Sequence, residues 1–206
     1  MPRRGGTVDM TGVAQVISKM PQFRRTAKLE VEKRLVLEKQ ALIDEFDSHK
    51  VTLEVQDGPT ASNTSNTLGG PGSNANLYTF IGFGEGLNPV RPIRTILHTS
   101  IHTSSVTMAL TKRGPSHVPV ASVNITLPNE NKIREASLMP WEPGKSWISG
   151  IEEGISGFGY YMYKKFEKGR SGYALQSKHK VRNAHFRPVP YLKEMLGRFT
   201  NRLLRL

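Results

Sequence analysis

Aromatic rings and cations are concentrated between residues 156 and 182, in the stretch "SGFGYYMYKKFEKGRSGYALQSKHKVR". Four rings fall within the six positions 158–163, and seven Lys and Arg residues follow in the next nineteen. Rings of this kind can stack on nucleic-acid bases, where each stack contributes roughly 1–3 kcal/mol. In a strand they more often fill one face of a core. The segment therefore has two readings, a nucleic-acid surface and a structural strand.

The cations of this region form a predicted basic patch. Residues 178, 180 and 182 alternate along "QSKHKVR" and would share one face of a strand, which suits a diffuse phosphate field without reading sequence. No ribonucleoprotein, zinc-finger or helix-turn-helix signature accompanies them in the sequence. We predict that the patch lies near DNA or meets an acidic partner. Its members are Lys164, Lys165, Lys168, Arg170, Lys178, Lys180, Arg182 and Arg187.

Metal and cofactor chemistry finds little support in the sequence. His98 and His102 stand four apart on a predicted helix, but Thr99 occupies the position where a zinc metalloprotease carries glutamate. The glycine-rich "GGPGSNANL" lacks the Gly-Lys-Ser/Thr ending of a phosphate loop, and "GFGEG" places Glu85 where it would repel a phosphate. We therefore expect no cofactor and no metal.

Catalytic chemistry is no better represented. No serine lies in a nucleophile-elbow pattern. The acidic pairs Asp44–Glu45 and Glu152–Glu153 are adjacent in sequence, so on a helix their side chains point about 100° apart. These pairs read as solvated charge. We expect a protein that is not an enzyme.

Composition bounds the remaining classes. A chain of 206 residues with 37% hydrophobic residues is long enough to bury a core, and it contains no cysteine for a disulfide or a thiolate site. The net charge of +12 is uneven, at +3 for residues 1–50, −1 for 51–160 and +10 for 161–206. Such a local excess attracts phosphates or an acidic protein surface. No run of apolar residues predicts a signal sequence or a membrane span.

The first half of the chain is predicted to begin with two helices. A short helix covers 11–20, and a long one runs from Phe23 to Phe46 for about 36 Å. An apolar stripe along the long helix recurs at steps of four or seven, at Phe23, Ala27, Val31, Leu35, Leu42 and Phe46. Further apolar residues fall off that stripe and indicate a second contact, which the resemblance described below would assign to a neighbouring subunit. The interface candidates are Leu29, Val36, Leu37 and Ile43 in this helix, with Phe158, Tyr160 and Tyr161 later in the chain.

The later elements follow from periodicity and turn residues. "VTLEV" (51–55) alternates as a strand, a long loop covers 57–76, and "LYTFIGFGEG" reads as a strand running into a turn. A helix starts at Pro89 or Pro92, a hairpin follows at 104–112 and 118–127, and a short helix carries Trp147. After one or two strands, a C-terminal helix begins near Pro190. This order predicts an α+β fold with a mainly antiparallel sheet, packed by the long N-terminal and the C-terminal helices, with long extended loops.

The chain as a whole resembles virion proteins of contractile-tailed bacteriophages from the neck or tail-completion region, of the head–tail connector or tail-terminator type. The resemblance spans about 23–199 and is carried by "DSHKVTLEV", "NTSNTLGG", "NLYTFIGFGEGLNP", "SWISGIEEGISGFGYYMYKK" and the closing "FRPVPYLKEML". Residues 1–22 have no counterpart in it, so we predict an N-terminal arm with a short helix over 1–22 and a single domain over 23–206. These motifs are structural and carry no catalytic residue.

The resemblance implies a homo-oligomeric ring around the DNA channel that joins the DNA-filled head to the tail. Its partners would be other phage neck, connector or tail proteins, with non-specific DNA contact in the lumen and no membrane. The protein would be made in the host cytoplasm and located in the virion. The alternative is a basic nucleic-acid-binding protein, associated with ribosomes or a nucleoid, that uses residues 164–187 as its contact surface.

Overall fold

The computed structural model describes residues 10–69, 76–114, 116–140, 142–154 and 185–204. Its helices are α1 (Met10–Lys19), α2 (Pro21–Ser48), α3 (Lys50–Gln56), α4 (Leu77–Ile81), α5 (Val90–Ser100), α6 (Glu130–Ala136), α7 (Trp147–Glu153) and α8 (Leu192–Leu204). Its strands are β1 (Leu68–Gly69), β2 (His102–Arg113), β3 (Ser116–Thr126), β4 (Leu138–Met139), β5 (Glu142–Ser146) and β6 (His185–Phe186). The fold is α+β.

The described strands pair antiparallel, as β1 with β6, β2 with β3 and β4 with β5. The predicted fold class is therefore confirmed, including the long N-terminal helix and the C-terminal helix. The strands differ from the prediction in their arrangement, since these residues form three separate two-stranded ribbons. Only the β2–β3 ribbon is long.

The chain divides into two compact units. Residues 1–37 and 101–127 belong to the first unit, and residues 38–100 and 128–206 belong to the second. The boundary at position 37 falls inside α2 and differs from the predicted division at position 22. Since compactness is not independent folding, the prediction of one folding domain over 23–206 stays a prediction.

The first unit contains α1, the first part of α2 and the β2–β3 hairpin. In the hairpin Val106 pairs with Val123, Met108 with Ala121 and Leu110 with Pro119. Side chains alternate between faces along a strand, so these residues share one face. The next residues along β2 and β3 place Ser, Thr, Asn, Ala and Val on the opposite face. Apart from one shift near Ser104, the register is regular over the hairpin.

The second unit holds most of the buried side chains. Phe46, at the end of α2, stacks on Tyr191 with ring centroids 5.8 Å apart, and Trp147 lies 6.2 Å from the same ring. Around them lie the buried faces of α5 and α8, represented by Leu97 and Phe199, each with no exposed surface. The predicted helices α5 and α8 are confirmed. Of the predicted stripe on α2, Leu35, Leu42 and Phe46 are buried, whereas Phe23, Ala27 and Val31 are only half-buried.

Two predicted strands are helices instead. Residues 51–55 lie in α3, where the His49 imidazole accepts a hydrogen bond from the Val51 N–H and caps the helix start. Residues 77–81 lie in α4. Asn76 caps the start of this helix, and Gly82, in the left-handed conformation at φ 81°, ends it. Short apolar runs fit both periods, and here the capping residues favour helix.

Candidate functional site

Large hydrophobic side chains on the surface are concentrated in the first unit. Of the thirteen that the described residues expose, nine belong to it. These nine, which we call the apolar set, are Val13, Val16, Met20, Leu29, Val36, Leu37, Val118, Val120 and Leu127. Unusual exposure of this kind marks interaction surfaces more often than it marks a free solvent face.

The apolar set follows the periodicity of each element. In α1 and just after it, Val13, Val16 and Met20 are spaced by three and four, which is one helical face. In α2 Leu29 and Val36 are seven apart, two turns along one side, and in β3 Val118 and Val120 are two apart on one strand face. Each element therefore presents an exposed apolar stripe rather than scattered single residues.

The first unit buries little in return. Among the 26 buried hydrophobic residues of the described chain, only Ala14, Leu35, Ile101 and Val106 belong to it. A two-stranded ribbon is marginally stable in water without a packed face. Over its described residues, the unit therefore exposes more large hydrophobic residues than it buries.

The predicted interface residues of α2 divide into two groups. Leu29, Val36 and Leu37 are 47%, 66% and 71% exposed, so their surface is available to a partner. Ile43 is 2% exposed and lies in the core of the second unit, so it has no surface to offer. The sequence reasoning overlooked the exposed stripe of α1, although its three-and-four spacing was visible. Phe158, Tyr160 and Tyr161 lie outside the described residues.

Most of the predicted basic patch also lies outside the described residues. This applies to Lys164, Lys165, Lys168, Arg170, Lys178, Lys180 and Arg182. Arg187 is described and exposed, and its backbone N–H donates to the Thr67 carbonyl at 2.8 Å. The structure therefore places one member of the patch on the surface of the second unit.

Residues on the two sides of 155–184 lie close together. The Val189 N–H donates to the Ile151 carbonyl at 3.0 Å, and a Cβ added to Gly154 would lie 3.3 Å from the Pro188 ring. Phe186, on β6, stacks on Phe80 with ring centroids 5.9 Å apart. The described residues that flank 155–184 are therefore neighbours within the second unit.

A buried polar cluster around Glu54 organises the chain after α3. The Glu54 carboxyl group is 1% exposed and accepts hydrogen bonds from the backbone N–H groups of Ser65 at 2.9 Å and Leu77 at 2.7 Å. The amide of Asn76 donates to the carbonyls of Pro59 and Ala61. Because its oxygens are engaged with backbone amides, Glu54 is placed to hold the chain in shape and not to exchange protons with a substrate.

The titratable groups beside the core carry burial-driven shifts. Burial, followed by the charge of Arg198, lowers the pKa of His49, whose ring lies 4.9 Å from Tyr191. Burial also raises the pKa of Tyr191, whose hydroxyl shares a 2.7 Å hydrogen bond with Thr52. Burial raises the pKa of Glu152 as well, against the opposing effect of its hydrogen bond from the Lys193 N–H. These groups pack against the core, so their shifts reflect structure.

The histidine pair does not share a helix. Helix α5 ends at Ser100, which leaves His98 in its last turn and His102 at the start of β2. Within the ranges that the structure describes, no three His, Asp or Glu side chains are grouped so that they could hold a metal ion. The helices described in these ranges also include none with the length and apolar character needed to span a membrane.

Comparison of the chain with protein-family models, with curated proteins and with solved structures gives no match.

Proposed function

We propose that this chain is a structural virion protein that forms a homo-oligomeric ring in the neck or tail-terminus region of a contractile-tailed phage. In this role the ring joins the DNA-filled head to the tail. The observation that carries the proposal is the first unit, whose described residues include nine exposed large hydrophobic side chains and only four buried hydrophobic ones. The resemblance of 23–199 to neck and tail-completion proteins supplies the kind of assembly.

Exposure of the apolar set to water costs free energy, and burial of these side chains between neighbouring copies would remove that cost. Each square ångström of apolar surface removed from water contributes roughly 25 cal/mol, so several exposed Leu and Val side chains on each copy favour association. A ring requires two different patches per subunit that meet head to tail. The apolar set comprises stripes on α1, α2 and the hairpin, which is enough to supply two such patches.

Oligomeric state and particle joining together test the proposal. The purified full chain is examined by light scattering and negative-stain microscopy, and then mixed with tails or DNA-filled heads. The variant carries Val36→Asp and Leu37→Asp, which place charge on the most exposed members of the set in α2. We expect it to keep its thermal unfolding temperature and to lose ring formation or joining to particles.

The matched control is Leu204→Asp, which changes a leucine in α8 that is 77% exposed in the second unit. It should assemble like the parent chain. Because rings of this class can stay monomeric before they meet the particle, a monomer alone does not decide the matter. A chain that stays monomeric at high concentration and also fails to join heads or tails would overturn the proposal.

A further inference from the structure

A pocket of about 310 Å³ in the first unit lies where α2 meets the start of the hairpin. Its lining is made of two cationic side chains, three hydroxyl side chains and one valine. These are Arg24, Lys28, Thr103, Ser104, Ser105 and Val106. The pocket is far in sequence from the basic patch over 164–187, and no part of the proposed ring role depends on it.

The Arg24 guanidinium is fixed at the pocket by a main-chain contact. One of its terminal N–H groups donates to the Val106 carbonyl at 2.9 Å. A guanidinium has five N–H donors, and this bond engages one of them. A positioned fork of this kind suits an oxyanion, since parallel N–H donors match two oxygens on one centre.

A bulge in β2 accounts for the consecutive hydroxyl residues. The register passes from Thr103 opposite Ile125 to Ser105 opposite Asn124, so Ser104 is an extra residue. Neighbouring side chains of a regular strand point to opposite faces, whereas a bulge re-aims them. This is why Thr103, Ser104 and Ser105 can all line one pocket.

The hydroxyl groups have defined partners, and Ser104 Oγ donates its hydrogen to the Asn124 carbonyl at 3.1 Å. Ser105 Oγ accepts a hydrogen bond from the Asn124 side-chain amide at 2.8 Å, so its own O–H remains a donor. Thr103 Oγ1 donates to Glu32 at 3.0 Å, and Lys28 Nζ lies 3.5 Å from the same carboxylate. Glu32 therefore orients two groups of the lining and offsets one of the two positive charges.

The resulting charge matches a singly charged oxyanion. Arg24 and Lys28 against Glu32 leave a net charge of +1 at the pocket. The described residues of the first unit include eight Lys and Arg and two Glu, which gives a net charge of +6. The described part of the second unit has a net charge of −2. A polymer with one negative charge per repeat matches both the +1 charge of the pocket and the +6 charge of the described first unit, whereas an isolated anion matches only the pocket.

From this geometry we infer that the pocket binds a phosphodiester group of a nucleic-acid backbone, without reading base sequence. Arg, Lys and Ser/Thr hydroxyls are the side chains that contact backbone phosphates in protein–nucleic-acid complexes. The surrounding positive field extends the contact along the strand and makes it dependent on salt.

The test measures oligonucleotide affinity of the full chain by fluorescence anisotropy at several chloride concentrations. A labelled duplex without a chosen sequence is the probe. The variant R24Q/K28Q removes both cations of the pocket. We expect a loss in affinity of about tenfold or more and a salt slope smaller by about two, since each phosphate contact contributes roughly one to the slope.

The control variant K19Q/K33Q also removes two positive charges from the first unit, but at residues that do not line the pocket. It should keep most of the affinity, and both variants should keep the circular dichroism and unfolding temperature of the parent chain. Acylation of lysines followed by mass spectrometry adds a local readout. Lys28 should be protected by the duplex, whereas Lys33 should not.

Competition by inorganic phosphate distinguishes specific binding of a phosphate group from the general effect of ionic strength. At matched ionic strength, it should displace the duplex from the parent chain better than chloride does, and this advantage should vanish in R24Q/K28Q. Equal losses in both double variants, or a bound duplex that leaves Lys28 unprotected, would overturn the inference. So would a labelled poly-glutamate peptide that binds with the same dependence on Arg24 and Lys28 while the duplex does not, because the partner would then be an acidic protein.

Discussion

At the residue scale, His49 combines three roles at the junction between α2 and α3. Its imidazole caps α3, lies against the Tyr191 ring and sits beside the ion pairs that Arg198 forms with Glu45 and Glu194. Burial and the neighbouring guanidinium disfavour the charged imidazole. A proton on Nδ1 would also remove the acceptor that caps α3.

The first prediction concerns the pH dependence of stability. The pKa of His49 in the folded chain lies below its ordinary value of 6.5, so the unfolded chain takes up the proton first as the pH falls. Stability should therefore be fully present above about pH 6.5 and decline below it, toward the folded pKa. In H49N, which keeps a capping acceptor but does not titrate, the decline between pH 7.5 and 5.5 should be shallower.

Thermal unfolding followed by circular dichroism across that range measures the difference between the two proteins. The variant H102N, at an exposed histidine, corrects for the loss of a histidine in general. Parallel curves for the parent chain and H49N would show that this imidazole does not contribute to the acid sensitivity.

At the element scale, Glu54 links α3 to the start of α4 through the chain between them. The second prediction is that E54A lowers the free energy of unfolding by about 2 kcal/mol or more, because two buried N–H groups lose their acceptor at roughly 1–3 kcal/mol each. E54Q retains one carbonyl oxygen and should fall between E54A and the parent chain. Urea unfolding measures all three proteins.

Hydrogen exchange should locate the effect of E54A at its two partners, with faster exchange of the Ser65 and Leu77 amides. The control E153A changes an exposed glutamate of α7 and should stay within about 0.5 kcal/mol of the parent chain. If E54A and E153A unfold at the same urea concentration, the hydrogen bonds from the Ser65 and Leu77 amides to this carboxyl group do not stabilise the fold.

The contrast between elements explains how far sequence reasoning extended. Helices α2, α5 and α8 repeat their apolar residues over several turns, so periodicity identified them. The hairpin was identified by two runs rich in β-branched residues, 104–112 and 118–127, separated by "RGPSH". By contrast, Val51 and Val55 are four apart, which fits one helical face as well as one strand face. Helix is favoured over strand here because His49 caps α3 and because Glu54 accepts hydrogen bonds from residues 11 and 23 positions away.

The candidate site was predicted less completely than the fold. Off-stripe leucine and valine residues of α2 identified part of the apolar set. Ile43 is also aliphatic and lies seven residues after Val36, on nearly the same side of the helix, yet it is buried. What separates it from Val36 is the content of the second unit, which periodicity does not encode. The pocket at Arg24 depends on a bulge and on contact between segments 82 residues apart.

At the scale of the whole molecule, positive charge occupies two regions, the described first unit and the residues from 161 onward. The third prediction tests the second region by charge reversal at Lys178, Lys180 and Arg182. If the chain is a ring protein, the triple Glu variant should keep its unfolding temperature and be defective in assembly or in DNA passage. If it is a nucleoid- or ribosome-associated protein, the same variant should lose nucleic-acid binding.

Infectivity of particles completed with the variant, together with duplex binding at low salt, measures the two outcomes. The pocket variant R24Q/K28Q provides the comparison, since it removes charge from the first unit alone. Normal assembly, normal infectivity and unchanged binding in the triple variant would leave residues 178, 180 and 182 without a role in either function.

The close approach of Ile151 and Gly154 to Pro188 and Val189 determines how the chain can be shortened. Truncation after Pro190 would remove Tyr191, Met195 and Phe199 from the core, so a chain cut there should not remain folded. An internal excision of 155–184, with Gly154 rejoined to His185 by a few Gly and Ser residues, keeps every buried side chain of the described core. Comparison of this shortened chain with the parent chain would show which functions require residues 155–184 and which require only the remaining residues.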